Sequence, residues 1–395
     1  MRRVRGGICL LAVLGLVGMT ALIPQTSGTA KNSGLDTPPA ASAYAGDEAC
    51  AACHAKEAKT YAGTPHALDS SEASGKTILG NFTPGKNVVA TPYRNLIFAM
   101  IAAPDAFYES VVNIADPQNP TGRAERFDIV VGSGRHGQTY LYWTGSDLYE
   151  LPVSYWGYTH AWINSPGYAD GGIHFDRPVM PRCLECHATR FETNGPPPNR
   201  YVRSSLVLGI GCETCHGPGA EHVRREESAR PPAAGSSEIA IVNPARLARD
   251  RQMDLCGLCH AGPGEPLAKA LSYRPGDVLA DYVKIDVPPA DAPVDVHGNQ
   301  VNALERSRCF TSGKLTCSTC HDVHRTQETA EAFSAKCLTC HAVRACGRYA
   351  QMGESLRGKC VGCHMPIGKS EALTSQLNGQ MLQAEMRTHR IAVYR

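Results

Sequence analysis

Seven copies of one short pattern, Cys-x-x-Cys-His, are distributed along this chain of 395 residues. Two thiols separated by two residues can bond to the two vinyl groups of one haem, and the adjacent histidine can ligate the iron from the proximal side. The copies are Cys50, Cys53 and His54; Cys183, Cys186 and His187; Cys212, Cys215 and His216; Cys256, Cys259 and His260; Cys317, Cys320 and His321; Cys337, Cys340 and His341; and Cys360, Cys363 and His364. We number them the first to the seventh motif. They predict seven covalently bound c-type haems.

Neither chance nor another kind of cysteine site explains the motifs. A random order of 17 Cys and 15 His in 395 residues gives about 0.03 copies of the pattern. Zinc sites use paired Cys-x-x-Cys but do not require a histidine directly after the second cysteine. A thioredoxin-like redox pair needs only one Cys-x-x-Cys. Covalent haem is therefore the favoured interpretation.

The remaining histidines are candidate ligands for the opposite side of each iron. Fifteen histidines less seven proximal ones leave eight, which is enough for two histidines at every iron. Such saturated, low-potential haems suit electron transfer, because no position stays open for a substrate. The first candidates are His66, His222, His324 and His389, followed by His136, His174, His160 and His297.

The N-terminus has the pattern of an export signal. Arg2, Arg3 and Arg5 precede an apolar stretch at 6–23, and we expect a signal peptide at 1–30 and a flexible leader at 31–43. An uncleaved segment would instead anchor the protein to a membrane. Export to the periplasm or the cell exterior fits the motifs, since c-type haem is attached outside the cytoplasm.

The charge balance argues against nucleic acid as a partner. The formal net charge is +2, and removal of Arg2, Arg3 and Arg5 with the signal segment leaves −1. Each oxidised haem adds two negative propionates and one positive charge at the iron, so seven haems would bring the mature protein to roughly −8. Other redox proteins, as electron donor and acceptor, are the expected partners.

We expect a mainly α and irregular fold around a haem-dominated core, with a small antiparallel β insert around residues 105–156. The expected segments are 44–80 (first haem), 81–178 (the β-containing insert), 179–270 (haems two to four), 271–308 (connecting loops) and 309–395 (haems five to seven and a C-terminal helix from about Glu371 to Arg387). Predicted strands are 107–114, 126–131, 138–143 and 148–155, with a hairpin turn at 145–147. Cys309 and Cys346 lie outside the motifs and leave one disulfide open as an option.

Two features of the insert invite other interpretations. Gly132-Ser-Gly134-Arg-His136-Gly137 matches a dinucleotide-binding pattern, but a strand and not a helix is expected after it, so we reject that function. The aromatic stretch 155–162 is expected to pack against porphyrin faces, or else to line a substrate cavity.

Several connecting sequences resemble multihaem cytochromes of the cytochrome c-552/c-554 type. The matching pieces are Val131-Gly-Ser-Gly-Arg-His136, Ser165-Pro-Gly-Tyr168, Gly211-Cys212-Glu-Thr-Cys-His-Gly-Pro-Gly219, Val242-Asn-Pro-Ala-Arg246, Ser272-Tyr-Arg-Pro-Gly276, Cys309-Phe-Thr-Ser-Gly-Lys-Leu-Thr-Cys317 and His364-Met-Pro366. The resemblance implies an exported electron-transfer protein with mostly bis-histidine haems. It also implies distal ligands at His66, His222, His324 and His389.

Two functions from different classes remain open. The first is an electron carrier or conduit, which we favour over an enzyme. The second is a multihaem oxidoreductase that acts on a small nitrogen or sulfur compound at one five-coordinate haem. The Cys-x-x-Cys-Lys motif of pentahaem nitrite reductases does not occur in the sequence. Nothing in one sequence argues for a filament subunit.

Overall fold

Antiparallel sheet accounts for much more of this protein than the sequence predicts. The computed structural model describes residues 37–116, 118, 121–228, 240–287, 289, 299–326 and 329–394, and these belong to one compact unit. The predicted signal segment 1–30 and the candidate ligand His297 lie outside the described residues. The expectation of a mainly helical fold with one small insert is wrong, because sheets occur from Ser70 to Arg387.

The strands are mostly short and pair antiparallel. They are β1 (Ser70–Glu72), β2 (Val88–Ala90), β3 (Leu96–Ala102), β4 (Phe107–Asn113), β5 (Thr121–Arg126), β6 (Ile129–Val131), β7 (Gly137–Thr144), β8 (Asp147–Glu150), β9 (Val153–Trp156), β10 (Ala161–Asn164), β11 (Arg177–Pro178), β12 (Ala188–Arg190), β13 (Val207–Leu208), β14 (Glu265–Pro266), β15 (Val283–Lys284), β16 (Ile367–Leu377) and β17 (Gln380–Arg387).

The helices are short, and most of them carry a motif or stand beside one. They are α1 (Asp47–Cys53), α2 (Ala55–Tyr61), α3 (Pro181–His187), α4 (Cys212–His216), α5 (Ala220–Glu226), α6 (Arg249–His260), α7 (Gln300–Glu305), α8 (Arg308–Thr311), α9 (Ala330–Cys337), α10 (Tyr349–Met352) and α11 (Cys360–His364). No helix in the described ranges is long and apolar enough to cross a membrane.

Two sheets enclose the central core. One has the order β2-β3-β4-β5, and the other has the order β1-β6-β7-β8-β11, with β9 pairing with β7 and β10 with β9. Phe98 and Met100 from the first sheet pack against Tyr140 and Tyr142 from the second, and all four are at most 1% exposed. The polypeptide therefore supplies its own apolar interior here.

Strands form within the region 105–156, but the sheets extend well beyond it, so the sheet is not confined to a small insert. The β7–β8 hairpin forms with Thr144 opposite Asp147, so its loop contains Gly145 and Ser146 as the turn residues predict. The predicted strand 148–155 is interrupted at Leu151 and Pro152, after which β9 leaves β8 and pairs with β10. A proline cannot donate to a strand ladder, which accounts for the break.

The aromatic stretch packs against protein. Trp162 lies against Phe82, Phe127 and Tyr140, and its indole nitrogen donates to the Asn81 carbonyl oxygen at 2.8 Å. Because Trp162 is only 3% exposed within this aromatic cluster, the expectation that it contacts a porphyrin is wrong. Strand β7 directly follows the Gly132–His136 loop, which removes the helix that a dinucleotide site needs.

The predicted C-terminal helix is also wrong. Residues 367–387 form the hairpin of β16 and β17, and Leu377 pairs with Gln380 across a two-residue loop. The loop residues Asn378 and Gly379 have φ of 52° and 73°, the left-handed conformation that a tight hairpin turn requires. The hairpin packs on β10, where the Ser375 hydroxyl donates to the Asn164 carbonyl oxygen at 2.6 Å.

Candidate haem-binding sites

Each motif occupies a single helical turn. Motifs one to four and seven lie on or at the end of α1, α3, α4, α6 and α11, the fifth lies on a 3₁₀ turn at Cys317–Thr319, and the sixth begins at the end of α9. The amide of the motif histidine donates to the carbonyl of the first cysteine at 2.8 Å in His54, 2.9 Å in His321 and 3.0 Å in His341. Residues three and four apart share one face of a helix. Each motif therefore presents two thiols and an imidazole on one side.

Three proximal histidines face a second histidine across a gap that fits an iron. The ring centroids are 6.0 Å apart for His260 and His66, 6.1 Å for His216 and His324, and 6.2 Å for His321 and His389. Imidazole nitrogens about 2 Å from a metal on opposite sides place the ring centroids about 6 Å apart. The separations are too long for direct ring contact and match this arrangement.

These pairs join residues that are far apart in sequence. His66 reaches the fourth motif, His324 the third and His389 the fifth. The structure thus places three of the candidates, His66, His324 and His389, each opposite one motif histidine. Their role as distal ligands stays a prediction.

Hydrogen bonds fix the tautomer of several proximal rings. Nδ1 of His216 lies 2.8 Å from the Val242 carbonyl oxygen, and Nδ1 of His364 lies 2.8 Å from that of Ala392. A carbonyl oxygen can only accept, so Nδ1 carries the hydrogen and the lone pair of Nε2 stays free for a metal. Nδ1 of His187 makes the corresponding bond to the carboxylate of Asp69 at 2.7 Å.

Burial favours the neutral form of four of the paired imidazoles. It lowers the pKa of His260 to about 4 and the pKa of His389 to about 4, and it also lowers the pKa of His66 and of His216. Metal ligation requires the deprotonated imidazole. The donor set of thiols and neutral imidazoles therefore fits covalently attached haem.

Asp69 raises the pKa of His187, whereas burial lowers it. Burial alone lowers the pKa of His187, but the hydrogen bond and the negative charge of Asp69 outweigh burial and raise it above the ordinary value. The sequence alone does not predict this role of Asp69. The one feature that points to it is its position three residues after the candidate ligand His66.

Neighbouring motifs touch through their cysteines. Thiols of different motifs lie close together in four places: Cys50 beside Cys212, Cys186 beside Cys259, Cys256 beside Cys317, and Cys337 beside Cys360. Cys215 is close enough to Cys256, and Cys320 to Cys337, for their charges to interact. The motifs therefore follow the order one, three, four, five, six, seven, with the second motif beside the fourth.

Backbone and side-chain contacts support this order. The amide of Cys212 donates to the Asp47 carboxylate at 2.9 Å, which joins α4 to α1. Arg182 of α3 donates to the Leu258 carbonyl oxygen of α6 at 2.6 Å. The amide of Val361 in α11 donates to the Ser334 hydroxyl of α9 at 3.2 Å, which joins the sixth and seventh motifs.

The other candidate ligands are not brought into such pairs among the described residues. His222 lies on α5, which packs against the turn Ala41–Ala43 that precedes α1, and its buried Nδ1 has no hydrogen-bond partner in the described part. Nδ1 of His136 lies 2.5 Å from the Tyr158 hydroxyl, and Nδ1 of His160 lies 2.6 Å from that of Tyr155. His174 is exposed.

Cys309 and Cys346, the two cysteines outside the motifs in the described part of the chain, are free thiols. Cys309 lies near Cys320 and Cys337, whereas Cys346 lies near Cys360. The disulfide that the sequence left open is not formed.

Comparison with known proteins finds a family match over part of the chain and a similar fold. Residues 170–217, which span the second motif and the third, match the family model described as cytochrome c554 and c-prime. The fold is similar to the crystal structure of the outer cell wall cytochrome OcwA, with a TM-score of 0.54, 18% identity, and coverage of 88% of this chain and 79% of that chain.

A second structure shows weaker similarity. The undecahaem cytochrome from the S-layer of Carboxydothermus ferrireducens matches with a TM-score of 0.33 and 16% identity, over 91% of this chain and 53% of that chain. No curated protein matches the chain. The resemblance drawn from the connecting sequences is confirmed: this chain is similar to the cytochrome c554 and c-prime family over residues 170–217 and has the fold of a multihaem c-type cytochrome.

Proposed function

We propose that this protein is an exported heptahaem cytochrome that conducts electrons between redox partners through closely spaced, mostly bis-histidine haems. The observation that carries the proposal is the set of three histidine pairs at 6.0, 6.1 and 6.2 Å. A haem held by two thioethers and two imidazoles supplies reversible one-electron exchange without an open position for substrate.

The residues of the chain create a continuous path. Cysteines of successive motifs lie close together, which keeps the attachment sites near one another, and electron tunnelling weakens steeply with distance. The path has exposed ends: Cys53 and His54 lie at the first motif, and Cys363 lies at the seventh. These ends are the proposed contact points for an electron donor and an electron acceptor.

The central motifs are the most enclosed part of the path. His260 joins the pair with His66, and its motif contacts those of the third, fifth and second sites. Burial excludes water from the iron ligands and limits the reorganisation that accompanies a change of charge. The fourth motif is therefore the proposed junction of the path.

The cell exterior is the proposed location. The N-terminal sequence has the pattern of an export signal. The similar structure OcwA is described as an outer cell wall protein. Small redox proteins or surface cytochromes would then be the partners.

Electron paramagnetic resonance of the oxidised protein tests the function. We expect seven haems per chain, all or nearly all low-spin, and complete reduction by a low-potential donor. A stoichiometric high-spin signal that responds to a small nitrogen or sulfur compound would instead support an oxidoreductase with one five-coordinate haem.

A further inference from the structure

The proximal histidine of the second motif has an unusual partner. Nδ1 of His187 donates to Oδ2 of Asp69 at 2.7 Å, whereas His216 and His364 donate to backbone carbonyl oxygens. A carboxylate accepts this hydrogen bond more strongly than a carbonyl does, because it carries a full negative charge.

The surrounding backbone holds Asp69 in place. Its amide donates to the His66 carbonyl oxygen at 3.2 Å, and its own carbonyl oxygen accepts from the amide of Gly132 at 2.5 Å. The next residue, Ser70, begins β1 and pairs with Val131. The main chain of Asp69 is thus fixed on both sides, and this limits the positions that its carboxylate can take.

Ser70 fastens the same histidine a second time. Its hydroxyl donates to the carbonyl oxygen of His187 and accepts from the amide of Gly209 at 2.8 Å. Ser70 is 4% exposed. Two consecutive residues therefore hold the ring and the main chain of His187. The fold fixes this contact, unlike an ion pair between mobile surface side chains.

We propose that Asp69 is a positioning residue that orients His187 and gives its ring imidazolate character, so that the haem of the second motif has a lower reduction potential than it would have with a carbonyl partner. Stronger electron donation by the ligand stabilises the oxidised iron. The inference rests on the proposed attachment of haem at that motif.

The same segment also reaches the fourth motif. His66, three residues before Asp69, forms the pair with His260, and Cys186 and Cys259 touch between the two motifs. A low-potential haem at the second motif, beside the fourth motif, would be reduced after the haems of the main path. The segment 66–70 therefore sets the properties of two neighbouring sites.

The test is a spectroelectrochemical titration of the haem-loaded Asp69→Asn variant. Asparagine preserves the size of the side chain and the backbone contacts but removes the charge. We expect one of the seven redox components to move to a more positive potential by the largest amount. A smaller shift is expected at the fourth motif, because His66 and His260 also interact with the charge of Asp69. Asp69→Glu should restore the original values at least in part.

Asp322→Asn is the matched control. Asp322 lies 3.8 Å from Nδ1 of the candidate ligand His324, which is too far for a hydrogen bond. We expect a smaller shift in this variant. An equal shift would mean that any nearby charge suffices and would overturn the proposal, as would an unchanged titration in Asp69→Asn.

Haem content separates failure of this inference from failure of the proposed function. A wild-type protein with fewer than seven haems or without reversible reduction would refute the function itself. If Asp69→Asn yields no haem-loaded protein, Asp69→Glu decides. The inference requires that variant to keep the low-potential component, and its loss would contradict the inference.

Discussion

Replacing His66 by alanine should remove one distinctive component of the low-spin spectrum. The planes of His66 and His260 meet at 75°, whereas the planes of the other two pairs differ by only 23° and 26°. Nearly parallel axial imidazoles separate two iron d orbitals in energy and give a rhombic spectrum. Perpendicular planes leave those orbitals almost degenerate, which raises the largest g value.

The size of the effect follows from the ligand count. His66 serves one iron of seven, so His66→Ala should remove about one seventh of the low-spin intensity, all of it from the component with the large g value. An equal amount of high-spin haem should appear, because an alanine offers no ligand. The rhombic components of the other two pairs should remain.

Electron paramagnetic resonance with spin quantitation measures both changes. His174→Ala is the matched comparison, since His174 is an exposed candidate that faces no motif histidine in the described residues, and it should leave the component with the large g value intact. Loss of a rhombic component in His66→Ala, or loss of the large-g component in His174→Ala, would refute the assignment of His66 to His260. An unaltered spectrum would show that His66 is not a ligand.

Three further results are expected. Burial raises the pKa of Glu109 well above its usual range, so the folded state loses stability as the pH rises above the pKa that Glu109 has in the unfolded chain. Glu109→Gln should therefore raise the free energy of unfolding near pH 8 but not near pH 4, by about 1 kcal/mol per unit of pKa difference between the folded and unfolded states. Urea denaturation measures this change, and Glu125→Gln on the neighbouring strand should not produce it. Gly379→Ala should lower the free energy of unfolding by about 1 kcal/mol, because its φ of 73° disfavours a side chain. Gly347→Ala is the control for the same denaturation assay. It should have little effect, because a Cβ at Gly347 meets nothing within 4 Å and its φ is not in the left-handed region. In the haem-free chain, hydrogen exchange should show protection in β3 and β7 but little in 308–364, and uniform exchange across both regions would contradict the separate core of the sheets.

The sequence predicts the chemistry of this protein better than its architecture. The motifs and the β7–β8 hairpin depend on local spacing and turn residues, which a sequence displays directly. The region 371–387 is rich in residues with good helix propensity, such as Glu371, Leu373 and Met386, and its sequence therefore predicts a helix. The Asn378–Gly379 turn and packing on β10 override that propensity.

The ligand pairing illustrates a different limit. His66 and His260 come from distant parts of the chain, and only the folded backbone brings them to 6.0 Å. Asp69 is one carboxylate among many in the sequence, and its role is visible only in its contact with His187. Spacing identifies proximal ligands because they are covalently local, whereas distal and supporting residues depend on tertiary structure.

The mass of the intact purified protein tests the central claim most directly. Covalent attachment at all seven motifs predicts the mass of the mature polypeptide plus seven haems, retained after denaturation in acid. A polypeptide that loses its haem on denaturation, or that carries fewer than seven, would contradict the path of motifs on which the proposed function rests.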